Sequence, residues 1–178
     1  MIFVLVLALC AAPSLAQMGR KIDGWTQLTT IPVCFEGRND RFGQLIYLGD
    51  SKLVAGIKLV YRSGVIRCVS NTAHDSHWGC HHYSSFYKYP LNVVITDKKN
   101  NIIYPLAKYI KRTADLWYHM PGVDDLISKE LVFTNVAKPF YLERYRELRI
   151  WYGEDLRNNA ESDNQGRVCV DVFAKFFE

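Results

Sequence analysis

The stretch "RVCVDVFAKFF", Arg167 to Phe177, alternates cleanly at its start. Val168, Val170 and Val172 fall on one side of an extended chain, and Cys169, Asp171 and Phe173 on the other. Period-two alternation marks a strand whose two faces meet different surroundings. The β-branched valines suit a pleated core face. Cys169 is then left on the opposite face, where a cysteine on a neighbouring strand can reach it.

Outward from this strand the same pattern repeats. "ELRIWY" (147–152), "ELVFTNVAKPFYL" (130–142) and "LNVVITDKKNNIIYPL" (91–106) are rich in β-branched and aromatic residues. The last reads as a hairpin about a polar Asp97–Asn101 connection. "GQLIYLGDSKLVAGIKLVYRSGVIRCVS" (43–70) holds several apolar runs, parted by turn signals at Gly49–Lys52 and at Arg62-Ser63-Gly64. "WTQLTTIPVCF" (25–35) reads as a first strand, with Pro32 forcing an edge or a bulge. "VDDLISKEL" (123–131) is the one helical pattern. Many short strands and almost no helix predict an all-β fold, an antiparallel β-sandwich of jelly-roll or galactose-binding-like form.

The N-terminus "MIFVLVLALCAAPSLAQ" carries an apolar run, then small residues at Ser14-Leu15-Ala16. It reads as a secretory signal peptide over 1–16, followed by a single β-sandwich domain over 17–178. The apolar run is too short for a membrane span. Net charge is +4, and the basic residues are scattered, so no nucleic-acid stripe forms. The sequence predicts a secreted, extracellular protein.

Cys10 departs with the signal peptide, which leaves Cys34, Cys68, Cys80 and Cys169. An even number in an exported domain predicts two disulfides. Three pairings are possible. The favoured one closes a short loop through Cys68–Cys80 and joins the first and last strands through Cys34–Cys169.

Before the last strand, "YGEDLRNNAESDNQG" (152–166) gathers Glu154, Asp155, Glu161 and Asp163 with three asparagines. Calcium takes six to eight hard oxygens from carboxylates, amides and carbonyls. Asp155, Glu161, Asp163 and Asn164 offer them. If the first and last strands pair antiparallel, the loop "EGRNDRFG" (36–43) stands alongside and adds Asp40. The EF-hand spacing is missing. A solvated loop is the plain alternative, because short acidic motifs are common.

The order "ELRIWYGEDLRNNAESDNQGRVCVDVF" (147–173) resembles the end of calcium-dependent galactose-binding β-sandwich lectins: a strand, a loop with an Asp, an Asp/Asn-Asn-x-Gly turn and an alternating final strand. The resemblance implies that Asp155 matches the first loop ligand, and Asp163 and Asn164 the later pair. Here the loop is one residue longer and an acidic residue replaces an Asn. The chain also resembles uncharacterised secreted invertebrate domains that end in a similar stretch, which implies no activity.

"HDSHWGCHHY" (74–83) holds four of the five histidines. Imidazoles suit zinc or copper, but no HExxH helix is present, and oxidised cysteines are lost as ligands. Trp78, His81, His82 and Tyr83 offer flat, hydrogen-bonding surfaces for a sugar ring. No nucleophile elbow, P-loop or dinucleotide fingerprint occurs. Adjacent carboxylates on a strand point apart, which does not suit glycoside hydrolysis. The resulting reading is a secreted, calcium-assisted binding module for carbohydrate. Two other classes stand beside it: a structural extracellular-matrix protein, and a zinc-dependent enzyme built on the histidine loop.

Overall fold

The computed structural model describes residues 21–177, so the expected signal peptide lies outside the described residues. The strands are β1 (Lys21–Ile22), β2 (Trp25–Gln27), β3 (Val33–Glu36), β4 (Gly43–Ile46), β5 (Lys52–Arg67), β6 (Val93–Asp97), β7 (Ile102–Tyr104), β8 (Ile110–Arg112), β9 (Trp117–Tyr118), β10 (Glu130–Thr134), β11 (Phe140–Leu142), β12 (Glu147–Tyr152) and β13 (Gln165–Phe176). One short helix, α1 (Gly153–Arg157), follows β12.

β13 is the spine of the larger sheet. It pairs antiparallel with β5 along its whole length, and with β2 and β3 on its other side. β10 and β11 both add to the far side of β5. A second sheet runs β4-β12-β6-β7. Between them lies one apolar core, to which the large sheet contributes Phe35, Ile57, Leu59, Val168, Val170 and Val172. The small sheet contributes Leu45, Val93, Ile95, Leu148 and Ile150. Tyr104 of β7 stacks on Phe133 of β10 at 5.5 Å and ties one sheet to the other. The fold is an antiparallel β-sandwich with two disulfides.

The valines of β13 are buried as their spacing predicts. Cys169 lies directly opposite Cys34 on β3, and the two are bonded. Cys68 and Cys80 form the second disulfide. The hairpin over 93–104 also forms. The Asp97 carboxylate accepts the backbone N–H groups of Lys99 and Asn101, at 2.8 and 2.9 Å, and the Asn101 amide at 2.9 Å. These bonds hold its carboxyl below the usual range even though burial opposes them. Asp97→Ala is expected to destabilise by about 1–2 kcal/mol, because the turn loses its acceptor for three donors. Urea unfolding with an unchanged slope checks it.

Four local expectations are corrected. Arg62-Ser63-Gly64 is not a turn: β5 continues through it as a bulged strand, with the register against β13 shifting between Cys169 and Val170. Gly64 adopts φ +88°, and a Cβ there would collide with the Arg167 carbonyl, so glycine marks a bulge here. The first strand divides into β2 and β3 around Pro32, and "ELVFTNVAKPFYL" divides into β10 and β11. Residues 123–131 form no helix. The Asp124 carboxylate instead accepts the N–H groups of Leu126 and Ile127, a local turn that competes with helix formation.

Candidate functional site

β12 delivers the chain into the acidic loop while still inside the core. Trp151, Tyr152, Gly153, Glu154 and Asp155 are all buried. At Gly153 the backbone approaches closely: a Cβ would lie 2.9 Å from the Asn92 amide nitrogen and 3.0 Å from the Asp115 carbonyl. The Glu154 N–H is donated to the Asn92 side-chain oxygen at 3.0 Å. Sequence and backbone together therefore force two consecutive carboxylates under the surface.

Their surroundings differ. Glu154 accepts the Trp117 indole N–H at 3.1 Å on one oxygen, while Oε2 is buried without a hydrogen-bond partner. Asn164, also fully buried, donates its amide to the Gly37 carbonyl at 2.9 Å and leaves Oδ1 unpartnered. The Glu154 carboxyl is pushed up to about 7, chiefly by burial, against the lowering effect of the Asn164 amide and the Trp117 indole, with Asp115 and Asp163 adding like charge. Asp155 accepts two backbone N–H groups, from Asp40 at 2.8 Å and Arg41 at 3.1 Å. Burial and a hydrogen bond with the Glu161 carboxyl nevertheless raise it to about 7. Two carboxyl groups that share a hydrogen bond need a proton or a cation between them.

The loop over 36–43 thus meets the acidic loop, as strand pairing predicts. The Asn39 N–H binds Glu161 at 3.1 Å, and the Arg38 guanidinium binds the Ser162 carbonyl at 2.9 Å. Asp40 takes part through its backbone N–H, not through its carboxylate. Asp163 is exposed. Among the described residues no three His, Cys, Asp or Glu side chains stand together as a ready metal cage. A cation here would have to be completed by the Asn164 amide, backbone carbonyls and water. Glu154 is the buried carboxyl that sequence reasoning left out of its candidate set. The signal was present: "WYGED" carries a buried strand straight into the two acids.

The histidine loop packs on the same end. Arg67 binds Asp75 at 2.8 Å and also donates to Gln165 at the start of β13, which links the two loops. Trp78 is fully buried and donates its indole N–H to the Ser128 carbonyl, so it is a core residue with no face for a ligand. His77 is buried and stacked on Tyr61 at 3.7 Å, with its pKa lowered by that burial. His81 lies 3.1 Å from the Asp125 carboxylate and is stacked against His82. His82 is exposed and Tyr83 half-buried. The loop therefore keeps His82 at the surface, leaves His74, His81 and Tyr83 half-buried, and turns His77 and Trp78 inward.

No protein-family model matches the chain, and no curated protein does. Among solved structures, AJLec from the sea anemone Anthopleura japonica matches with a TM-score of 0.76 and 37% identity, over 90% of this chain and 99% of that one. By that measure the chain belongs to the family of AJLec and shares its lectin-like β-sandwich.

Proposed function

We propose that the protein is an exported carbohydrate-binding module whose acidic loop holds calcium at the sugar site. The observation that carries the reading is the pair of buried, unpartnered oxygens, Glu154 Oε2 and Asn164 Oδ1. Buried polar atoms in native folds are almost always paired, so two such acceptors in one acidic loop with raised carboxyls suit a cation. Glu154 and Asn164 are the inner ligands. Asp155 and Glu161 supply a second pair of oxygens, and Asp163 faces the site from solvent. A bound calcium ion supplies open coordination positions for sugar hydroxyls.

The chain's own residues do the rest. Asp155 fixes the loop over 36–43 through the Asp40 and Arg41 N–H groups. That loop, with Gln165 and Gly166, lines an open polar groove bearing Glu36, Arg38, Asn39 and Arg41. These side chains offer donors and acceptors in the arrangement that sugar hydroxyls need. His82 and Tyr83 add ring surface. The two disulfides support an oxidising, extracellular location, and membership of the AJLec family supports the lectin reading.

Chromatography on immobilised galactosides, mannosides and N-acetylhexosamines tests this. Retention in millimolar calcium with elution by EDTA is expected. Glu154→Gln should pass through unretained while keeping the wild-type circular dichroism. Retention indifferent to EDTA would remove the cation from the reading. Retention on none of the sugars would favour the matrix role.

A further inference from the structure

We propose that the carbohydrate bound beside the acidic loop is itself acidic, with a sulfate or carboxylate held by Arg38, Arg41 and Arg167. The inference rests on the carbohydrate reading above and names the class of sugar. Glu36, Arg38, Asn39, Arg41 and Gln165 are among the residues that line the open groove there. β13 brings Arg167 to its edge, directly opposite Glu36 in the register with β3. The neighbours Phe35 and Val168 are fully buried, so strand parity turns Glu36 and Arg167 together to the outer face.

The guanidiniums are placed but not satisfied. Arg38 Nη1 donates to the Ser162 carbonyl of the acidic loop at 2.9 Å, which anchors the group and uses one of its five donors. The Arg41 side chain is 63% exposed, and its Nη1 lies 3.6 Å from Glu36 Oε1, too far for a hydrogen bond. Its backbone is nonetheless fixed, because Asp155 accepts its N–H at 3.1 Å. Arg167 is exposed. Asp155 and Glu161 are turned to the backbone N–H groups of Asn39, Asp40 and Arg41. Exposed Asp40 joins Glu36 as opposing charge on this loop, which leaves the three cations in excess. A sugar hydroxyl both donates and accepts. A guanidinium only donates, in a planar fork that matches two oxygens of a carboxylate or sulfate. A sugar with hydroxyls toward the acidic loop and an acidic group toward these arginines answers both halves of the site.

Binding to matched sets of immobilised sugars in millimolar calcium tests this. Each set holds galactose, mannose or N-acetylglucosamine, its 6-sulfate and the corresponding uronic acid. In at least one set an acidic form should bind roughly tenfold more tightly than its neutral parent. The ratio should fall as salt rises, and whether sulfate or uronate leads identifies the acidic group. Arg41→Gln should bring the ratio towards one. Glu36→Gln should raise it, because it removes the anion that competes for Arg41 and Arg167; damage to the fold would not. Equal affinity for neutral and acidic forms would overturn the proposal and leave the carbohydrate reading standing. An acidic preference that neither variant alters would put the acid on the cation instead, and would overturn it too. Binding to no sugar of any set would sink the carbohydrate reading, and this inference with it.

Discussion

Glu154→Gln is expected to make the metal-free protein more stable and to erase its response to calcium. The Glu154 carboxyl is 1% exposed, and one oxygen has no partner. Burial moves it from 4.5 to about 7. A raised carboxyl means that the folded state holds the proton more tightly than the unfolded chain. Its contribution to stability is therefore full below about pH 4.5 and is lost as pH rises through about 7. The loss is on the order of 3 kcal/mol for this group, and Asp155, raised from 3.8 to about 7, acts in the same direction. In EDTA the melting temperature should fall between about pH 4.5 and 7 and level off above. On the calcium proposal, the cation competes with the proton for the same oxygens. At one hundred times its dissociation constant it should add about 2.7 kcal/mol, or roughly 5–10 °C for a domain of this size, and more at pH 8 than at pH 5. The glutamine variant should start higher in EDTA at pH 8, show a shallower pH profile and gain nothing from calcium. Melting curves at the two pH values, with EDTA and with millimolar calcium, read all three. A calcium-induced rise that persists in the variant would move the cation away from Glu154. Superimposed wild-type curves would leave the acidic loop without a cation at all.

Removing both Cys34 and Cys169, as a double alanine variant, should cost about 4 kcal/mol and lower the melting temperature by roughly 8–16 °C. The bond closes a chain 135 residues apart in sequence, so its loss frees nearly the whole unfolded domain. Cys68 and Cys80 are 12 residues apart, and the corresponding variant should cost about 1–2 kcal/mol less. Calorimetry on both variants makes the comparison. Near-equal losses would mean that local packing, not chain entropy, dominates. The first disulfide also joins β3 to β13 at the base of the two loops over 36–43 and 153–164. Its removal should therefore weaken calcium binding, while loss of Cys68–Cys80 should leave it nearer the wild-type value.

The candidate site was legible in part. The loop over 36–43 meets Asp155 and Glu161 because β3 and β13 pair with Cys34 opposite Cys169, and that pairing was the one that alternation and cysteine number favoured among three. What could not be read was the direction of each side chain within the loop. Asp155 spends its carboxylate on the backbone of Asp40 and Arg41, and Glu154 turns inward to Trp117. A one-turn helix sets these directions, and five residues of it leave no periodicity to detect. Trp78 failed as a surface ring for a similar reason. Its indole fills the core and finds a carbonyl partner 50 residues away, and local sequence does not encode such a partner.

Period-two alternation, turn residues and an even set of cysteines were enough to predict an antiparallel β-sandwich and its last strand, and to favour, among three possible pairings, the two disulfides that form. These are short-range properties: side-chain parity along a strand follows from backbone pleat, and hairpin chemistry such as that of Asp97 is complete within five residues. Tertiary structure alone decided that Arg62-Ser63-Gly64 is a bulge. A glycine with turn potential takes a bulge conformation instead when β13 pairs with β5 on both sides of it. It alone decided that Glu154 and Asn164 are buried with free oxygens, because burial depends on what Trp117, Asn92 and Gly37 bring from distant parts of the chain. It also decided which apolar residues were left outside. Leu53, Tyr141 and Phe177 look like core residues in sequence, and they meet at the surface only because three separate strands end side by side.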